Sequence, residues 1–256
     1  MCLILLAHRS HPSYRLIIAA NRDEYYERPT APAAFWDGSP KLLAGKDLRG
    51  GGTWLGITTK GRIGAITNYR DPALEKHDSP SRGKLVSSFL LGQDSPADYL
   101  SGLGQEEGEY NGFNIIVGQS DEIHWYSNRG DRARNLAPGI YGLSNRLIDT
   151  PWPKVTRGKQ AMARLLSEQK DPQPEALFHL LLDNSIPDDK SLPDTGVESE
   201  WERILSPIFI QSPTYGTRSS TVLFIDLQDR VTFIERTFKS GPDHATTVKY
   251  EFRIES

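Results

Sequence analysis

The sequence predicts an α+β protein in which antiparallel sheets are covered by helices. Three observations lead there. Short aliphatic runs come in pairs with brief polar links between them, the spacing of hairpins in series. Helix-like runs are fewer and stand in groups between those pairs. A chain of 256 residues with 37% hydrophobic and 25% charged side chains is also long enough to bury roughly three quarters of its unfolded surface, which gives both kinds of element a core to pack on.

Taken in order, Cys2 to Ala7 and Tyr14 to Ala20 are Leu- and Ile-rich runs around Pro12 and Ser13, a hairpin of largely buried strands. Thr53 to Thr59 and Arg62 to Asn68 flank Lys60 and Gly61, and a two-residue link ending in glycine suits a tight turn. Gly83 to Leu91 follows Ser81 as a candidate cap, and Pro96 to Leu100 follows Ser95; both read as helices. Asn114 to Gly118 and Glu122 to Ser127 pair around Gln119 to Asp121. Lys154 to Ser167, after Pro153, carries Val155, Met162, Leu165 and Leu166, and Pro174 to Asp183 adds Leu177, Leu180, Leu181 and Leu182. The acidic stretch Pro187 to Glu200 holds Pro193 and Gly196 and reads as a mobile loop before a short helix at Trp201 to Leu205. Val222 to Asp226 and Val231 to Arg236 pair around Leu227 to Arg230. Val248 to Ile254 closes the chain by alternating Val248, Tyr250, Phe252 and Ile254 with Lys249, Glu251 and Arg253, the pattern of an outer strand with one buried face. No repeat or composition break interrupts this order, so residues 1–256 read as a single domain.

Charge and hydropathy narrow the function classes. A net charge of −3 and a pI near 6.1 lack the basic footprint of a nucleic-acid binder. The local basic group Arg129, Arg132 and Arg134 is interrupted by Asp131 and reads as a solvated loop. The N-terminal apolar run from Cys2 to Ala7 is followed by His8 and Arg9 and is too short for a signal peptide or a membrane span. With a single cysteine no disulfide forms within the chain, and a reducing, cytoplasmic setting is expected. His8 and His11 have no carboxylate at ligand spacing and there is no second cysteine, so no metal site and no required cofactor are expected.

The chemistry concentrates at the chain start. Cys2 directly follows Met1; removal of Met1 would leave a thiol and a free α-amine on one residue, an amine with a reference pKa near ~8 that can take the thiol proton itself. Read structurally, the same cysteine is a small hydrophobe in a first strand. Asn21, Arg22, Asp23 and Glu24 stand where the second strand ends. Pairing with the first strand would bring the Arg22 guanidinium toward the thiol, whereas the bland reading of the same run is a turn with a surface ion pair. Arg49-Gly50-Gly51-Gly52-Thr53 lacks the lysine of a phosphate loop and reads as a flexible loop near a pocket. Trp36, Trp54, Trp125, Trp152 and Trp201 suit core and rim packing, or an apolar ligand if several share a cavity.

These runs, together with Arg28-Pro29, Gly51-Gly52-Thr53-Trp54-Leu55-Gly56, Thr67-Asn68-Tyr69, Tyr110-Asn111-Gly112-Phe113-Asn114, Tyr141-Gly142-Leu143-Ser144-Asn145, Thr150-Pro151-Trp152 and Tyr215-Gly216-Thr217-Arg218, resemble the NRDE family, also called the transport and Golgi organisation protein 2 family. The resemblance covers nearly the whole chain. It implies the N-terminal nucleophile hydrolase fold, a four-layer α-β-β-α sandwich of two antiparallel sheets. By the same resemblance Cys2 is similar to the nucleophile of cysteine acylases, Arg22 and Asp23 to its orienting pair, Asn68 and Asn145 to the asparagines that hold an oxyanion or leaving amine, and Arg218 to a distal arginine. Asn21, Glu24, Trp54, Tyr69 and Ser144 stand in the same runs as candidate substrate contacts. Acylases separate the arginine and aspartate by two residues, whereas Arg22 and Asp23 are adjacent and Glu24 follows, which leaves open which acid faces the thiol.

Two functions follow as expectations. One is an N-terminal-cysteine hydrolase acting on an amide or thioester bond of a small acyl substrate. The other is a non-catalytic carrier of haem or of a lipid or acyl-CoA on the same fold, since fold alone does not fix function.

Overall fold

The structure is a computed structural model and describes residues 2–38, 41–104, 107–119, 121–130, 132–239 and 241–255. Met1, whose removal the nucleophile reading requires, Ser120 in the expected Gln119–Asp121 link, and Asp131 of the basic loop lie outside the described residues.

In chain order the elements are β1 (Cys2–His8), β2 (Tyr14–Tyr25), β3 (Thr30–Trp36), β4 (Leu42–Asp47), β5 (Leu55–Thr58), β6 (Arg62–Asn68), α1 (Gly83–Leu91), α2 (Pro96–Leu103), β7 (Phe113–Gln119), β8 (Glu122–Ser127), β9 (Arg134–Asn135), β10 (Gly139–Leu143), α3 (Pro153–Glu168), α4 (Pro174–Leu181), α5 (Ser199–Ile204), β11 (Tyr215–Asp226), β12 (Arg230–Phe238) and β13 (Ala245–Arg253). The chain forms two compact units, one of Met1–Glu27, Pro138–Ser144 and Ile148–Phe252, the other of Arg28–Ala137, Asn145–Leu147 and Arg253–Ser256. Each holds one antiparallel sheet with helices on it, an α+β arrangement.

Among the described residues the first unit's sheet has six strands in the order β10-β1-β2-β11-β12-β13. Its helix-covered face presents Leu3, Leu5, Ala7, Ile17, Ala19, Val222, Phe224 and Ile234, which pack with Val155, Met162 and Leu166 of α3 and with Leu177, Phe178 and Leu181 of α4. Each Val, Leu, Ile, Phe or Met side chain among them contributes about 1.5 to 3 kcal/mol by leaving water. Helix α3 approaches β1 closely at Gly158, where a Cβ would lie 3.0 Å from the Leu5 side chain. Strand β13 is the outer strand; Val248, Tyr250 and Phe252 are half-buried and Lys249, Glu251 and Arg253 exposed, as the alternation predicts.

The second unit's sheet runs β3-β4-β5-β6-β7-β8-β9. Leu42, Ala44, Ile66, Phe113, Ile115 and Val117 pack with Val86, Phe89 and Leu90 of α1 and Leu100 and Leu103 of α2. The Arg49-to-Thr53 glycines serve a backbone contact: a Cβ on Gly52 would lie 2.2 Å from the Gly83 carbonyl carbon, and Thr53 N–H donates to the Gly83 oxygen, so this loop fastens β5 to the start of α1.

Strands β3, β4, β9 and β10 escaped the sequence pattern, β9 being the two residues Arg134–Asn135 at the end of the stretch that reads as a solvated loop. Strand β3 is rich in alanine, contains Pro32, and carries a register shift between Ala31 and Ala34; proline is tolerated there because β3 is an edge strand. Strand β10 is short, with two glycines. Several expected strands start before or end after their aliphatic runs: β2 continues to Tyr25, β11 begins at Tyr215, β12 continues to Phe238 and β13 begins at Ala245. The acidic stretch already turns helical at Ser199.

Candidate functional site

The Asn21-to-Glu24 run is strand, not turn. Cys2 opens β1 directly opposite Arg22 of β2, and Arg22 stands opposite Ser219 of β11. Residues facing one another in an antiparallel pair project to the same face, so Cys2, Arg22 and Ser219 form one lateral row. The next row, Leu3, Asn21 and Ser220, is turned toward α3 and α4.

That alternation separates the roles of the run. Asn21 is 1% exposed; its Nδ2 donates to the Leu181 and Ile208 carbonyls, both at 2.9 Å, and its Oδ1 accepts from Ser220 Oγ at 2.6 Å. The expected substrate contact at Asn21 is therefore corrected: its amide ties β2 and β11 to the segments behind them. Arg22 is buried and its Nη2 lies 3.7 Å from Glu24 Oε2 on the same side of the strand. Asp23, 2% exposed, accepts from Thr217 Oγ1 at 2.7 Å.

A β-bulge in β11 makes both sides fit. Thr217 pairs with Asp23 and Ser219 with Arg22, leaving Arg218 as the extra residue. Without that insertion Thr217 and Ser219 would lie on one face; with it, Thr217 turns to Asp23 while Ser219 joins the Cys2 row. Arg218 is displaced to the rim, where Nη1 donates to the Tyr25 and Tyr26 carbonyls at 3.0 and 2.8 Å.

The electrostatics follow from burial. Burial pushes the Cys2 thiol up, and the Asp23 charge adds to this; Arg22 and a hydrogen bond from the Asp23 backbone N–H act in the opposite direction. The net direction favours the protonated thiol. Burial also raises Asp23, against the charges of Lys154 and Arg22 and the Thr217 hydrogen bond. Of the two acids, Glu24 pairs with Arg22, while Asp23 is turned to Thr217 and meets the sulfur through its backbone N–H. Arg218 is lowered by burial and then by the neighbouring Arg22 charge, with Glu24 offsetting, which places two guanidiniums and one carboxylate close together. Ser144, 2% exposed, donates from Oγ to the Cys2 carbonyl at 3.0 Å and fixes the backbone of the candidate nucleophile.

The remaining predicted residues belong to the second unit. Asn145, fully buried, donates from Nδ2 to the Asn68 carbonyl at 2.8 Å, and its own carbonyl accepts from Arg70 N–H. The Tyr69 ring is 4.9 Å from the Arg146 guanidinium carbon. Trp54 is half-buried beside the core of that unit, over Gly45.

Sequence reasoning missed Lys154. It is 2% exposed, donates from Nζ to the Leu205 carbonyl at 2.9 Å, and is the leading charge that favours ionised Asp23. The signal was present: Lys154 lies four and eight residues before Gly158 and Met162, all on the buried stripe of α3. His11 braces the first hairpin, accepting from Ser13 N–H through Nδ1 at 3.1 Å while Nε2 lies 3.1 Å from the Gln169 carbonyl. Among the described residues no group of three or more His, Cys, Asp or Glu is arranged to hold a metal ion, and no helix is long and apolar enough to cross a membrane.

A model of the family "Transport and Golgi organisation 2" matches residues 1–240. The chain is 39% identical to a Transport and Golgi organization protein 2 homolog of Bos taurus, over the full length of both. It is 28% identical to the Drosophila melanogaster protein of that name, covering 95% of this chain and 94% of the other. Among solved structures, the C2A variant of conjugated bile acid hydrolase from Clostridium perfringens superposes with a TM-score of 0.54 at 8% identity, covering 100% of this chain and 97% of that one. An N-acylethanolamine-hydrolyzing acid amidase ortholog of Caenorhabditis elegans gives 0.50 at 9% identity, covering 87% and 92%. Both have the N-terminal nucleophile hydrolase fold, and at that identity the likeness speaks for the fold.

Proposed function

This chain belongs to the Transport and Golgi organisation 2 family, and from that membership, its fold and the geometry at Cys2 we propose that it is an N-terminal-cysteine hydrolase of an amide or thioester bond in a small acyl substrate. The observation that carries the reading is the setting of Cys2: opposite Arg22, under the Asp23 N–H, and with its carbonyl held by Ser144. The variant named for the superposed bile acid hydrolase also replaces a cysteine at position 2.

A thiol whose pKa is raised does not wait as a thiolate, so the proton must leave as the bond forms. Once Met1 is removed, the α-amine of Cys2 is the base nearest by covalent structure. The sulfur attacks the acyl carbon, the S–H proton passes to the amine, and the carbonyl becomes a tetrahedral oxyanion. Collapse expels the amine or thiol of the substrate, which takes that proton. Water then attacks the thioester on Cys2, releasing the acid and returning the thiol. Asp23, buried on the other side of β2, holds the strand end to β11 through Thr217, and the Lys154 charge favours its ionised form.

Intact-mass analysis combined with an acyl-directed electrophile tests this. The expected result is a mature chain lacking Met1 that takes up a single probe, lost in Cys2→Ala. A chain that retains Met1 and is labelled equally in Cys2→Ala refutes the reading.

A further inference from the structure

The site contains one buried hydroxyl that the fold does not use. Ser219 is 4% exposed, and its Oγ has no hydrogen-bond partner among the described residues. An unsatisfied buried hydroxyl is a cost that an alanine of the same shape would avoid, so its presence needs a reason. Its position supplies one. The row runs Cys2, Arg22, Ser219, Thr237 across four strands, and its two end members, Cys2 and Thr237, are half-buried. The next rows on the same face change character, from Ile4, Ala20, Thr221 and Glu235 to Leu6, Ile18, Leu223 and Phe233. The face thus turns from apolar to polar toward this row, whose two ends are half-buried, and the β11 bulge is what brings Ser219 into it.

We infer that Ser219 anchors a polar oxygen of the substrate, and that the acyl group attached at Cys2 ends in a hydroxyl or carboxylate rather than in a plain alkyl chain. This deepens the hydrolase reading above and rests on it. Two strand spacings of about 4.8 Å separate Cys2 from Ser219 across the sheet, roughly 9.6 Å. An extended chain advances about 1.2 Å per bond, so the oxygen stands about eight bonds from the thioester carbon. A serine hydroxyl both donates and accepts, so either end group satisfies it; Arg22, next to Ser219 in the row, adds attraction for a carboxylate.

The test uses the processed full-length protein and acyl thioesters of matched length, about eight carbons, ending in methyl, hydroxyl or carboxylate. The wild type is expected to favour an oxygen-bearing end by about tenfold in KM. Ser219→Ala collapses that ratio toward one, and Ser219→Thr restores it. Thermal melting supplies a readout that a purely structural role would not give: Ser219→Ala melts at the same temperature or higher, because it removes an unsatisfied group. Equal KM values for all three ends in the wild type, or a lowered melting temperature in Ser219→Ala, overturn the inference. Equilibrium binding of the ω-hydroxy and unsubstituted acids to Cys2→Ala, with and without Ser219→Ala, separates the two levels. Selective binding that depends on Ser219, in a protein whose wild type shows no turnover, defeats the hydrolase reading and keeps the anchor; turnover without end-group selectivity does the reverse.

Discussion

Replacing Thr217 by valine removes one hydroxyl that holds two groups. Its Oγ1 donates to Asp23 Oδ1 at 2.7 Å and accepts from the Ile210 N–H at 2.9 Å. Valine keeps the shape and the β propensity, so the loss is that of the hydrogen bonds. Stranding the buried Ile210 N–H costs about 1 to 3 kcal/mol and losing a bond to a charged carboxylate about 1.5 to 3, together about 2.5 to 6 kcal/mol. The second part depends on Asp23. In an Asp23→Asn background the charge-assisted share shrinks, and the cost of Thr217→Val is expected to fall by about 1 kcal/mol or more. Urea denaturation of the four proteins of this cycle measures both numbers. A loss below about 1 kcal/mol in the single variant, or no coupling to Asp23, would show that the bulge does not position Thr217 as described.

Other expectations follow from the same contacts. Because the folded-state pKa of Asp23 is raised by burial, the native state holds its proton more tightly than the unfolded chain; stability falls as pH rises from the ordinary carboxylate range through the folded value. Asp23→Asn is expected to flatten that fall in a stability profile measured from acid to neutral pH, and Lys154→Met to extend it to higher pH. Arg62→Met removes two donors to the Phe89 carbonyl, at 3.1 and 2.8 Å, and a cation–π contact at 4.0 Å; a loss of about 2 to 4 kcal/mol in chemical denaturation is expected, and a change within about 0.5 would contradict it. Gly52→Ala pushes a methyl onto the Gly83 backbone and should cost about 1 to 3 kcal/mol, visible as a lowered melting temperature; unaltered melting would mean that the loop shifts freely.

Much of the architecture was legible in order. The paired aliphatic runs around Lys60-Gly61 and Gln119-Asp121 became β5-β6 and β7-β8, because burial of both faces demands continuous apolar runs and the turn chemistry lies between them. The alternation from Val248 onward was equally readable, since an outer strand has one wet face. Strand β3 was not, because an alanine- and proline-bearing edge is held by its neighbour's backbone and has little side-chain pattern of its own. The site was half legible: Cys2, Arg22 and Asp23 stood out as chemistry, while Asn21, in the same run, is framework, and Lys154, whose charge favours ionised Asp23, is a cation on the buried stripe of α3.

By itself the sequence determined the class of fold, the family and the position of a thiol one residue from the chain start, because these rest on local periodicity, turn residues and order along the chain. Only the tertiary structure decided which side of β2 each residue of the Asn21-to-Glu24 run faces, that Glu24 and not Asp23 shares a side with Arg22, and that Ser219 shares a row with Cys2. Those answers depend on strand register, and a single inserted residue at Arg218 reverses the register of β11; pairing partners two hundred residues apart set that, and no local pattern encodes it.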